Sequence, residues 1–284
     1  MIAGTIIKGV GGQYTVDTPE RQYTCNARGL FRKLKVTPIV GDRVMINLAE
    51  DGVTGTLMEI MPRDNALRRP RVANVDQVAI VVAAAQPKPH FAMLDRYLIQ
   101  AEYEGIEASI CINKTDLDGH VPEEVRKIYE PAGYPVFAVS TTGGEGIDTF
   151  GEFLTGKTTV LAGPSGVGKS SIINCLKKGA VQTIATGAVS ERIGRGKHTT
   201  RHTEFFPLAF GGYAIDTPGF SSLEPPDIPK PERAVLFKEF RPFLGQCKYR
   251  DCMHWSEQDC EVKAQVGAAI DPRRYAEYLE WIRS

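Results

Sequence analysis

The stretch Gly163-Pro164-Ser165-Gly166-Val167-Gly168-Lys169-Ser170 constrains the fold more than any other part of this 284-residue chain. It is a Gly-x4-Gly-Lys-Ser phosphate loop, entered by the apolar run Thr158–Ala162 and left by a helical stretch from Ser171 to Leu176. Glycines let the backbone curl until successive N–H groups point at phosphate oxygens, and the helix N-terminus adds its positive dipole. Lys169 would reach the β/γ-phosphates, Ser170 would bind Mg²⁺, and Ser171 follows in the first helical turn. A strand, loop and helix in this order belong to a layered α/β fold. The blander reading, a glycine-rich turn that merely matches the pattern, is disfavoured by that flanking.

The rest of residues 72–223 has the same texture. Apolar β-branched runs at Gln77–Ala85, Ala108–Ile112, Val136–Ser140 and Tyr213–Ile215 alternate with helical stretches, as buried parallel strands do. Asn113-Lys114-Thr115-Asp116 ends the second of these runs. A carboxylate there can accept two hydrogen bonds from a purine edge with adjacent N–H and NH₂ donors, which guanine has and adenine lacks. Asn113 and Lys114 would tie the loop and pack the base. Ser140, at the end of the third run, begins a loop suited to giving backbone donors to the guanine O6.

Asp216-Thr217-Pro218-Gly219 follows Tyr213–Ile215. A second acidic strand end holds Mg²⁺ in phosphate-loop enzymes, and Gly219 would sense the γ-phosphate. Between the two phosphate-reading motifs lies Gly194-Arg195-Gly196-Lys197-His198-Thr199-Thr200, whose glycines and charges suit a loop. Thr199 or Thr200 is expected to close on Mg²⁺. Phe220, Ser221 and Ser222 follow Gly219, so no Gln stands there to orient water, and His198 is the candidate for that role. The base-reading motifs precede the phosphate-reading ones, a circular permutation of the usual order. Strand ends at one edge of an open sheet can build the same site in either order.

Cys247, Cys252, His254 and Cys260 fall within fourteen residues. Three thiolates and an imidazole make a full tetrahedral set for Zn²⁺ with no open catalytic position, so one structural zinc is expected. Cys25, Cys111 and Cys175 stand alone in apolar surroundings and read as core. Asp271-Pro272 makes a helix cap and first turn, and the helix beyond would present Tyr275, Leu279 and Ile282 on one face.

Ahead of the α/β region, short runs at Gly4–Val10, Gln13–Val16, Gln22–Ala27, Asp42–Leu48 and Thr54–Met61 suggest a five-stranded OB-like barrel, with Pro62–Pro70 as a linker. Residues 1–71 hold 11 basic and 7 acidic residues, a balance of +4 on a chain of zero net charge. That imbalance suits a polyanionic partner, with ordinary solvated surface charge the equal alternative on composition alone. The start lacks the charged and apolar regions of a signal peptide, and no apolar run approaches the ~20 residues that cross a bilayer.

Together these motifs resemble the YjeQ/RsgA family, circularly permuted bacterial GTPases that act on the small ribosomal subunit. The resemblance rests on the motifs at 113–116, 163–170, 194–200 and 216–219, and on the Cys/His spacing. It implies an OB-like RNA-binding barrel over 1–66, a circularly permuted P-loop GTPase domain over 67–224 and a small zinc-binding helical domain over 225–284. It further implies GTP hydrolysis late in small-subunit maturation, stimulated by the particle. The partners implied are that subunit and its rRNA, met by a cytoplasmic monomer with no membrane. A non-enzymatic GTP-responsive RNA-binding module is the alternative, and an ATP-dependent enzyme or a zinc-dependent hydrolase are more distant rivals.

Overall fold

A computed structural model describes residues 1–29, 31, 36–67, 70–178, 203–216 and 226–283. They form two compact units, one within residues 1–77, 151–161 and 170–216, the other within 78–150, 162–169 and 226–283.

The first unit opens with β1 (Ile2–Val10), β2 (Gln13–Asp17), β3 (Gln22–Ala27), β4 (Arg43–Leu48) and β5 (Thr54–Ile60). They close into a barrel of order β1-β2-β3-β5-β4, with β3 and β5 parallel and β1 returning antiparallel to β4. Alternation sends Tyr23 and Cys25, Val44 and Ile46 inward, where they meet Ile6, Val16 and Leu57. Burial pushes the Cys25 thiol up to about 11, as suits a core residue.

The expected linker after the barrel is built more firmly than its composition suggests. Asp42 is fully buried and accepts the Arg63 fork at 2.6 and 2.9 Å, while its Oδ2 also takes the Ile39 amide. Asn65 exchanges two side-chain bonds with Val75, and β6 (Ala66–Leu67) pairs with β7 (Val72–Ala73). Specific partners far along the chain, invisible in a Pro/Arg-rich stretch, are the reason for the difference.

In the second unit β8 (Gln77–Ala83) is buried along its length and is followed by α1 (Phe91–Tyr103). His90 caps α1 by accepting the Met93 amide. Next come β9 (Glu107–Asn113), α2 (Val121–Tyr129) and β10 (Val136–Ala138), with β10 parallel to β9 in the register Val136↔Ile110. Helix α3 (Ile147–Leu154) takes the chain into the first unit, which holds β11 (Thr158–Ala162) up to Leu161 and α4 (Lys169–Lys178) from Ser170 on.

Strands β12 (Phe205–Pro207) and β13 (Tyr213–Asp216) also lie in the first unit, β13 parallel to β11 and β12 antiparallel to β13. The edge strand β12 has no counterpart in the sequence reading, because three residues show no periodicity.

The C-terminal segment of the second unit holds α5 (Lys230–Arg233), 3₁₀ turns at Ala234–Leu236 and Lys238–Phe243, α6 (Glu261–Ala264) and α7 (Pro272–Arg283). Asp271 caps α7 through the Arg273 amide at 2.8 Å, as expected. Its buried face differs from the sequence reading. Tyr278 and Ile282 are fully buried, Tyr275 and Leu279 only partly so, and the charged Arg274 is fully buried. Phe237 packs edge-on against Tyr278 at 5.3 Å in this segment's core. Among the described residues no helix is long and apolar enough to cross a membrane.

Candidate functional site

Asn113, the last residue of β9, is fully buried. Its Nδ2 donates to the Val167 carbonyl at 2.9 Å, and its Oδ1 accepts the Thr141 amide at 3.3 Å. One amide side chain therefore ties two loops, using both ends of its donor–acceptor pair. Lys114 takes a left-handed conformation at φ 62° and donates to the Gly166 carbonyl at 2.8 Å and to that of Gln86. Thr115 Oγ1 donates to the Val139 carbonyl at 3.1 Å. Ser140 Oγ, fully buried, donates to Asp116 Oδ1 at 2.6 Å and accepts the Gly143 amide at 3.0 Å. Asp116 itself is exposed, a carboxylate held in place by a buried hydroxyl.

The loop Gly163–Lys169 lies in this same unit. Two of its glycines are required sterically. Gly163, at φ 135°, would drive a Cβ into the Val81 carbonyl, and Gly168, at φ 96°, would drive one into Asn113 Nδ2. Val167 is buried, whereas Ser165 and Gly166 are exposed at the loop's crest and Pro164 is half-buried. The Lys169 ammonium donates to the carbonyls of Gly163 and Pro164 at 2.8 and 2.9 Å. The structure thus brings Asn113, Lys114, Asp116 and Ser140 together with the loop from 163 to 169.

In the first unit, Ser170 Oγ donates to Asp216 Oδ2 at 2.6 Å. The parallel register Leu161↔Asp216 puts the carboxylate at the end of the strand beside the one that enters the loop. A hydroxyl and a carboxylate in contact are the hard oxygen donors that Mg²⁺ takes from a protein, and Ser171 is exposed beside them. His198, Thr199, Thr200 and Gly219 lie outside the described residues.

The ligand atoms of Cys247, Cys252, His254 and Cys260 all lie within 4.8 Å of one another. Cys247 Sγ stands 3.4 Å from His254 Nδ1 and 3.9 Å from Cys260 Sγ, and His254 Nδ1 stands 3.4 Å from Cys260 Sγ. Tetrahedral Zn–S bonds of ~2.3 Å give S···S edges of ~3.8 Å, so these spacings fit that ion. Burial lowers the His254 pKa and favours the neutral imidazole that a metal needs. The supports are equally specific. Glu257 accepts the amides of Met253 and Trp255 at 2.7 and 2.8 Å, and Tyr275 Oη donates to the His254 carbonyl at 2.8 Å.

Sequence reasoning missed Tyr97 on α1, which lines a cavity with Pro164 and Val167 of the phosphate loop. Its spacing from Leu94 and Leu98 marks it only as another buried position on a helix.

This geometry agrees with known proteins. The family model for the RsgA GTPase matches residues 60–226, and that for the RsgA N-terminal domain matches residues 3–56. A protein of Ruminiclostridium cellulolyticum named small ribosomal subunit biogenesis GTPase RsgA is 45% identical, over 99% of this chain and 92% of its own length. Its namesake from Agathobacter rectalis is 44% identical, over 98% of this chain and 96% of its own. The crystal structure of YjeQ from Thermotoga maritima superposes with a TM-score of 0.82 at 34% identity, covering 99% of this chain and 97% of that one. YloQ, described as a circularly permuted GTPase, gives 0.81 at 36% identity, over 100% and 94%. With these matches spanning both the barrel and the permuted nucleotide motifs, the chain belongs to the RsgA GTPase family.

Proposed function

We propose that this protein hydrolyses GTP to GDP and phosphate in late maturation of the small ribosomal subunit, binding its rRNA and being stimulated by the particle. The observation that carries the nucleotide part is the Asn113 bridge to Val167, which couples a guanine-reading loop to a phosphate loop. Asp116 accepts from the guanine N1 and N2 donors while Ser140 holds it, and Lys114 packs the base edge. The amides of residues 163–169 and the Lys169 ammonium take the phosphates. Ser170 and Asp216 hold Mg²⁺, and Thr199 or Thr200 completes the site with Gly219 at the γ-phosphate.

His198 orients the attacking water in place of the missing Gln, and the particle orders its loop. Cys247, Cys252, His254 and Cys260 hold one structural zinc. The barrel within 1–66 meets rRNA, which its +4 balance over residues 1–71 supports. Residues 67–224 act as the GTPase and 225–284 as the metal-bearing domain, in a cytoplasmic monomer.

The test is GTP hydrolysis by the purified chain with and without small ribosomal subunits, with ATP as the control. Weak GTP-specific turnover that rises steeply with the subunit is expected, and His198→Ala should lose the rise. No multiple turnover in either condition would overturn the enzymatic reading and leave a GTP-responsive RNA-binding module.

A further inference from the structure

Helix α1 is buried on two opposed faces. Asp95, Ile99 and Glu102 recur at i, i+4 and i+7 along one stripe, and Leu94, Tyr97 and Ala101 lie on the other. The first stripe meets the C-terminal segment. Ile99 joins its hydrophobic cluster with Phe237, Tyr278 and Trp281, and Glu102 pairs with Arg241.

Asp95 carries the strongest of these contacts. Its Oδ1 accepts from Arg274 Nη1 at 2.6 Å and from Tyr129 Oη at 2.8 Å. The same guanidinium gives Nε and Nη2 to Glu239 at 2.7 and 3.0 Å, and Arg274, Asp95 and Glu239 are all buried. Among the described residues Asp95 Oδ2 has no hydrogen-bond partner, which leaves the network one donor short. A buried network of this kind is sensitive to small displacements, because its fork geometry is fixed and its charges are out of water.

The opposite stripe meets the phosphate loop. Met93, Leu94 and Tyr97 line an apolar cavity of about 250 Å³ with Val82, Pro164 and Val167. The Tyr97 hydroxyl lies toward the Gly163 backbone, and its ring shares the cavity wall with Pro164 and Val167.

We propose that α1 couples the metal-bearing C-terminal segment to the phosphate loop, with Arg274 and Tyr97 as positioning residues on its two faces. This rests on the nucleotide reading of that loop. The helix moves as one body, so a shift of Arg274 reaches Gly163 through Asp95 and Tyr97, two residues apart on α1. A separate, covalent route is the chain itself, because the C-terminal segment follows Gly219 directly in sequence. By linkage, a nucleotide that favours one loop position favours one position of the segment equally.

The chain's two tryptophans, Trp255 and Trp281, both lie in the C-terminal segment and report on it. The experiment titrates GDP and a non-hydrolysable GTP analogue into the full chain, following tryptophan emission, with binding measured separately by equilibrium dialysis. Emission is expected to differ between the two nucleotides. Tyr97→Phe should at least halve that difference and weaken nucleotide binding by about two- to tenfold, the worth of one polar contact at the loop. Arg274→Lys should also reduce the difference, and the double variant should be no worse than the worse single one. If Arg274→Lys fails to fold, Tyr97→Phe, which keeps its ring in the cavity, decides alone. An emission difference unaltered in Tyr97→Phe would overturn the proposal and assign the signal to the covalent route. Binding without any tryptophan response also overturns it, while absence of binding sinks the nucleotide reading and the proposal with it.

Discussion

Asn113 and Val167, 54 residues apart, are joined by a 2.9 Å hydrogen bond from the Asn113 side-chain amide to the Val167 carbonyl. The bond is buried, so its loss leaves a carbonyl without a donor away from water. It ties the end of β9 to the phosphate loop despite their permuted order. Asn113→Ala should cost about 1–3 kcal/mol of stability by this reasoning. Chemical denaturation would measure it, and an unchanged midpoint would show the tie to be dispensable.

Asp116 carries base choice in the proposed site. Asp116→Ala removes two charge-assisted hydrogen bonds and should weaken GDP binding on the order of 100-fold or more. Calorimetric titration against GDP and ADP checks this. Equal weakening of both nucleotides would count against Asp116 as the guanine reader.

Gly168 sits at φ 96° with its missing Cβ aimed at Asn113 Nδ2. Gly168→Ala must displace Asn113 or distort the loop, a strain of about 1–3 kcal/mol. Nucleotide binding should fall much further than thermal stability does. A variant that binds normally would mean that the loop relaxes without disturbing Asn113.

The Cys/His cluster packs on the hydrophobic cluster of the C-terminal segment, to which Cys260 itself belongs. One zinc per chain is therefore expected by elemental analysis, with a strong chelator shifting tryptophan emission and lowering the thermal midpoint. Cys260→Ser should lower metal affinity and reproduce the shift. Emission indifferent to chelation would argue that the cysteines pack without metal.

Tyr213 Oη donates to Asp17 Oδ2 at 2.8 Å. Burial first, and the Asp17 carboxylate second, push the Tyr213 pKa up to about 12. An unfolded tyrosine titrates near ~10, so the folded chain holds the extra proton above that pH. The stabilisation is complete below ~10 and is lost as pH rises through the folded value. Tyr213→Phe should be less stable than the parent at pH ~9, with the gap narrowing toward pH ~12 in urea titrations. A gap that stayed constant would show that the phenol does not titrate differently on folding.

The barrel strands were legible because a period of two and frequent turn residues are local signals. Gln22–Ala27 runs as read, and the other four strands differ by no more than two residues at either end. The chemistry-bearing loops were legible for a related reason. Backbone approach at Gly163 and Gly168 and the clustering of three cysteines with a histidine impose residue types at short, fixed spacings. The structure added the partners. Arg274 lies off the helix face expected from Tyr275, Leu279 and Ile282, yet it is fully buried between two carboxylates. Arg63 looked like linker and closes on a buried Asp42.

The sequence alone therefore determined the nucleotide motifs and their order, the Cys/His spacing and the barrel strands, since each is read from local patterns along the chain. Only the tertiary structure decided that Asn113 holds Val167, that Asp95 meets Arg274 and that Tyr97 meets Gly163. These pairings depend on which faces of separate elements come together, and that depends on the packing of the whole chain rather than on any local spacing.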